Sequence, residues 1–214
     1  MSKAILPIII LSLLFGTVSF AQETELPNPG LTPDSPFYFL ERISEGIRTF
    51  FTFGNLKKAE RYVALAAERV AEAKAVVEKG KPDVAQKSLK RYEDQLGRAL
   101  TSAEKAKAKG KSIEKVAEKI AEAAGEHLIA LEEILEKAPE EAKAPVAEAK
   151  EVSAVGQKNA LRALATENPE RATAINLKAA EVRLIRAKVK AEEGEIKEVE
   201  EAINEFEGQY KFGE

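Results

Sequence analysis

The stretch NLKKAERYVALAAERVAEAKAVVEKGKPDVAQKSLKRYEDQLGRALTSAEKAKAKG, residues 55–110, decides the fold. Small aliphatic residues return in steps of three and four: Ala59, Val63, Ala66, Val70, Ala73 and Val77, then Ala85, Leu89, Tyr92, Leu96, Ala99, Ala103 and Ala106. Such spacing keeps one seam of a helix against a neighbour, whereas a half-buried strand would alternate at every second residue. Gly80, Lys81 and Pro82 separate the two stripes. Glycine ends one helix and proline opens the next, so the short turn predicts an antiparallel hairpin.

The same punctuation recurs outward, at Gly54-Asn55, Gly110-Lys111-Ser112, Ala138-Pro139, Asn168-Pro169 and Gly194. A third stripe runs through Ile113, Ala117, Ile120, Ala124, His127, Leu131 and Ile134, and a weaker fourth through Val146, Val152, Val155 and Leu164. Pro145 is expected to delay the start of that fourth helix, and Gly156 either weakens it or permits a close helix approach. The reading is all-α: an elongated bundle of long antiparallel hairpins, about seven helices, the longest near 40 Å at about 1.5 Å per residue.

The expected organisation is a signal peptide over 1–21, an extended Pro-rich leader over 22–33 and a helical bundle over 34–214. Within the bundle fall an aromatic helix (34–53), a first hairpin (55–109), central helices (113–166) and a second hairpin (169–211). Val63, Ala66, Arg69, Val70, Ala73, Lys74, Glu78 and Gly80 match Leu177, Ala180, Arg183, Leu184, Ala187, Lys188, Glu192 and Gly194 at an offset of 114, and Tyr92 falls on Phe206. This suggests an internal duplication. Tetratricopeptide repeats do not fit, because their helices are about half as long and their Trp, Gly and Tyr pattern is absent.

Lys3, the apolar run Ala4 to Phe15 and Ser19-Phe20-Ala21 together read as a secretory signal cut after Ala21. The expected location is therefore extracytoplasmic, secreted or in the cell envelope. Asp34 or Ser35 is placed to cap a helix whose first residue is Pro36.

Charge is finely mixed, 33 Lys and Arg against 36 Asp and Glu, so no field gathers nucleic acid. The absence of cysteine excludes disulfides and thiolate metal sites. Abundant Ala, Glu and Lys resembles the composition of heat-adapted (thermophile) proteins.

The stretch Pro29-Gly-Leu-Thr-Pro-Asp-Ser-Pro-Phe-Tyr-Phe-Leu40, followed by Phe50-Phe-Thr-Phe53 and Lys57-Lys-Ala-Glu-Arg61, resembles an uncharacterised family of exported helical proteins, catalogued only as a domain of unknown function. Asn168-Pro-Glu-Arg-Ala172, leading to Ala187-Lys188, is similar to the second hairpin of the same family. The resemblance implies an extracytoplasmic helical module in bacteria and archaea, sometimes attached to membrane-bound proteins, with no catalytic residues to carry over.

No residue set points to catalysis, a cofactor or a metal. His127 is the single histidine, and its place in a helix seam reads as a hydrogen-bonded core residue. A Glu-x-x-His metal motif would need Glu where Ala124 stands. Gly110-Lys111-Ser112 copies the end of a phosphate loop, yet Lys105 occupies the required glycine position, so a helix C-cap followed by an N-cap is expected. Lys105, Lys107, Lys109 and Lys111 read as solvated charge at a helix C-terminus, and Glu192, Glu193, Glu195, Glu198, Glu200 and Glu201 as solvated surface.

Six of the eleven aromatic residues beyond position 21 crowd one short helix. Phe37, Phe39, Leu40, Ile43, Ile47, Phe50, Phe51 and Phe53 form its candidate interaction face. The plainer reading buries this face at one end of the bundle, where Ala-rich seams leave room for large rings. The functional reading is a docking surface. Glu41 and Glu45 balance Arg42 and Arg48, which makes membrane attraction weak. The expected function is a non-enzymatic structural or protein-interaction module for an unknown cell-envelope partner, and the competing one an extracytoplasmic chaperone or lipid-surface binder.

Overall fold

The structure, a computed structural model, describes residues 26–193. Six helices follow one another: α1 (Tyr38–Phe50), α2 (Asn55–Glu78), α3 (Pro82–Lys107), α4 (Glu114–Lys137), α5 (Glu140–Ala165) and α6 (Pro169–Glu193). No strand occurs among the described residues. The expected signal segment, residues 22–25 of the expected leader and the expected second arm of the 169–211 hairpin, including Phe206, lie outside them.

Glycine ends α2 and α3 as the sequence anticipates. Gly80 and Gly110 sit at φ +69° and +70°, where a side chain would be strained. The following amides reach back to the last turn, Lys81 N to Val76 O at 2.9 Å and Lys111 N to Ala106 O at 3.2 Å, satisfying carbonyls that would otherwise lack donors.

The α2–α3 and α4–α5 hairpins form the bundle, with α2 beside α4 and α3 beside α5, and α6 packs mainly on α5. The two hairpins lie parallel and almost unstaggered. Glu60–Lys119, Lys74–Glu133 and Lys107–Thr166 are all pairs 59 residues apart. At an offset of 58, Ala59, Glu60, Ala66, Glu68, Glu78 and Lys79 correspond to Ala117, Glu118, Ala124, Glu126, Glu136 and Lys137.

The predicted seams are the core. Ala85 through Ala106 on α3 and Ile113 through Ile134 on α4 are buried at every stripe position. Four details differ from the sequence reading. Val155 is exposed, because the neighbouring Gly156 faces α3, where a Cβ would lie 2.8 Å from Leu96 Cδ2. Pro145 does not delay α5, which begins at Glu140 and runs through it. Asp34 does not cap α1. Its carboxylate accepts from Lys81 Nζ at 2.7 Å and from Lys79 Nζ, fastening the entry segment to the α2–α3 turn.

Ser112, finally, is not the principal cap of α4. The Glu167 carboxylate, in the α5–α6 turn, accepts from the Ile113 and Glu114 amides at 3.1 Å and from Ser112 Oγ at 2.6 Å. A negative side chain suits the positive end of a helix, and here a distant loop supplies it. Those amides are occupied, so the Gly110-Lys111-Ser112 segment presents no free phosphate cradle.

Candidate docking surface

α1 carries large apolar residues on one side and Tyr38, Glu41, Arg42 and Glu45 on the other. An amphipathic helix ordinarily turns its apolar side to the core. Here the orientation is reversed. Phe37, Phe39, Leu40, Ile43, Ile47, Phe50, Phe51 and Phe53 are 52–76% exposed, while Tyr38 and Glu45 are buried. The expectation that these rings close the bundle end is thereby overturned, and no residue of α1 belongs to the hydrophobic core.

The reversal has a cause in α2. Arg69 lies three residues after Ala66 and four before Ala73, inside the apolar stripe, and is fully buried together with Glu72. Buried charges must be paired and hydrogen-bonded or they destabilise the fold strongly. The polar side of α1 supplies the partners. Arg69 binds the Glu45 carboxylate and donates to Tyr38 Oη at 2.5 Å. Tyr38 Oη donates to Glu72 Oε2 at 3.1 Å and accepts from Arg91 at 2.7 Å.

Ser88 Oγ donates to the same Glu72 oxygen at 3.1 Å. Arg69 Nη1 stands 3.0 Å from Glu72 Oε1, an ion pair in which the N–H is not aligned for a hydrogen bond. The Arg91 guanidinium also lies 5.2 Å from the centre of the Tyr38 ring.

Burial sets the protonation of this clasp. It pushes the Glu72 carboxyl up to about 7, against the opposing pull of Arg69, Ser88 and Tyr38. It also raises the Tyr38 phenol to about 12, helped by the Glu72 charge. α1 is thus held by ions and a tyrosine, with its apolar side in water. Five phenylalanines, two isoleucines and a leucine, each at least half exposed, present on the order of 900 Å² of apolar area at 150–250 Å² per large ring. The largest apolar patch of an ordinary monomer is about 300–600 Å².

Beside the C-terminal half of α1 opens a recess of about 300 Å³. Arg42, Lys58 and Arg98 line it with Phe50, Tyr62 and Gln95, and its one acid, Glu45, is already bound by Arg42 and Arg69. Glu41 is also engaged. Its carboxylate accepts from Leu31 N at 2.8 Å and lies against Gly30, which at φ +64° brings the leader close.

The remaining sequence candidates fall elsewhere. His127 is buried in the seam with its ring 5.3 Å from Tyr92, edge to face. Its Nδ1 has no hydrogen-bond partner, contrary to the expected bonded core histidine, and burial lowers its pKa to about 4. Lys107 donates to Thr166 Oγ1 at 3.0 Å, while Lys105, Lys109 and Lys111 are exposed. The acidic run from Glu192 lies mostly beyond the described residues. Among those residues no group of three His, Cys, Asp or Glu is placed to hold a metal ion, and no helix is long and apolar enough to cross a membrane.

The reversed helix and the Arg69 clasp escaped the sequence reading. Their one signal was the placement of Arg69 within the Ala66–Ala73 stripe, which charge composition alone conceals.

Fold and surface together define a class: a helical hairpin bundle that displays a short apolar helix on its outside. Residues 30–141, 112 of the 214, match the family described as "Domain of unknown function (DUF5667)", and the chain belongs to it. The matched region covers the entry motif from Gly30 onward, α1, the first hairpin and α4, and ends before Asn168. No curated protein and no solved structure matches the chain.

Proposed function

We propose that this protein is an extracytoplasmic, non-enzymatic docking module that works through the outward face of α1. One observation carries the reading: eight large apolar side chains stand in water on a helix whose polar side is locked inward by buried ions. A surface of this size is costly to leave wet, at roughly 25 cal/mol per Å², so a partner that covers it gains a large driving force. The signal-like segment before Ala21 supports action outside the cytoplasm.

The groups that resemble chemical machinery are already engaged in the fold. Glu72 is enclosed by Arg69, Tyr38 and Ser88, and His127 sits in the seam against Tyr92. The non-enzymatic part of the proposal rests on this arrangement.

Fractionation of cells expressing the full chain tests the proposal. Native protein is expected with the envelope, and the double variant Ile47→Asp, Phe50→Ser in the released fraction, at unchanged helix content. Equal partitioning of both proteins would refute docking through α1.

A further inference from the structure

The occupant of the α1 face follows from its shape and its edges. The apolar side chains run along one helix and over the turn to Phe53, a projecting surface rather than a groove for an inserted knob. Such a surface suits a fluid, planar interface. From sequence alone its charges cancel, and tertiary structure redistributes them. Glu45 is buried against Arg69 and Glu41 is drawn to the leader amide. Arg48 is exposed, and Arg42, paired to Glu45 at 2.5 Å, lines the recess beside the apolar strip.

The recess beside Phe50 adds Lys58 and Arg98 to this rim, with Asp94 paired to Arg98 at 3.0 Å. Apolar side chains flanked by cations, with Glu45 turned inward and Glu41 tied to the leader, are the arrangement of a helix lying in the plane of a bilayer interface. We propose that α1 lies in the interface of an anionic membrane, its rings among the upper acyl chains and the Arg42–Lys58–Arg98 recess against lipid phosphate. The apolar run Ala4 to Phe15, read as a secretory signal cut after Ala21, would deliver the chain to a membrane face.

The proposal rests on the docking reading above and names its partner, a second copy of the chain being the alternative occupant. The test is flotation of the purified full chain with vesicles of phosphatidylcholine, alone or mixed with an equal part of phosphatidylglycerol. Because the chain contains no cysteine, Ile47→Cys also allows a single environment-sensitive dye to be placed on the face.

Native protein is expected to float with the anionic vesicles and to shift the dye to the blue. Ile47→Asp with Phe50→Ser should abolish both. Lys58→Gln and Arg98→Gln should each lower the anionic partition roughly fivefold and leave binding to phosphatidylcholine alone unchanged. No flotation on anionic vesicles, flotation insensitive to Ile47→Asp with Phe50→Ser, or disulfide dimers formed in solution by unlabelled Ile47→Cys would overturn the proposal. Loss of envelope partitioning in that double variant without vesicle binding by native protein would refute the lipid and leave docking standing.

Discussion

Replacing Arg69 by leucine probes the device that turns α1 outward. The guanidinium is fully buried and contacts Glu45, Glu72 and Tyr38, so its removal leaves Glu72, equally buried, facing only Tyr38 and Ser88. Breaking a buried pair by deleting one partner costs about 3–5 kcal/mol. Arg42 still holds Glu45 at 2.5 Å, which places the expected loss near the lower end, about 3 kcal/mol at pH ~8.

The cost should depend on pH in a defined direction. The Glu72 pKa in the fold, about 7, lies above its ordinary value of 4.5, so its contribution to stability is full below pH 4.5 and is lost as pH rises through 7. Without Arg69 the carboxyl is pushed higher still, and at pH ~5 it is protonated and cheap to bury, reducing the loss to about 1 kcal/mol. Urea unfolding followed by far-UV circular dichroism at both pH values measures this. A loss below about 1 kcal/mol at pH ~8, or one equal at the two pH values, would show that the clasp does not hold the helix as described.

Further outcomes follow from single positions. His127, with a folded pKa of about 4 against 6.5, contributes stability that is present above pH 6.5 and lost as pH falls through 4; His127→Gln should remove that acid loss, about 3 kcal/mol, as read by thermal melts across this range. Two glycines inside helices should respond with opposite signs in the same melts. Gly97→Ala, whose Cβ meets nothing within 4 Å, should stabilise by up to about 1 kcal/mol, whereas Gly156→Ala, set against buried Leu96, should cost about 1–3 kcal/mol.

The recurring three-and-four spacing from Ala59 to Ile134, with Gly80, Gly110 and Asn168-Pro169 as punctuation, determined the helices, most of their ends and the buried seams. It could do so because the helical period and the cost of a left-handed backbone are local properties of the chain. Tertiary structure alone decided which neighbour each seam meets, how Glu167 caps a helix more than fifty residues away, and which side of α1 faces water. A hydrophobic stripe records only that a face is apolar. Whether another helix covers it depended on Arg69 and Glu72, two buried charges of α2 whose need for partners drew the polar side of α1 inward and left Phe39, Ile43, Ile47 and Phe50 outside.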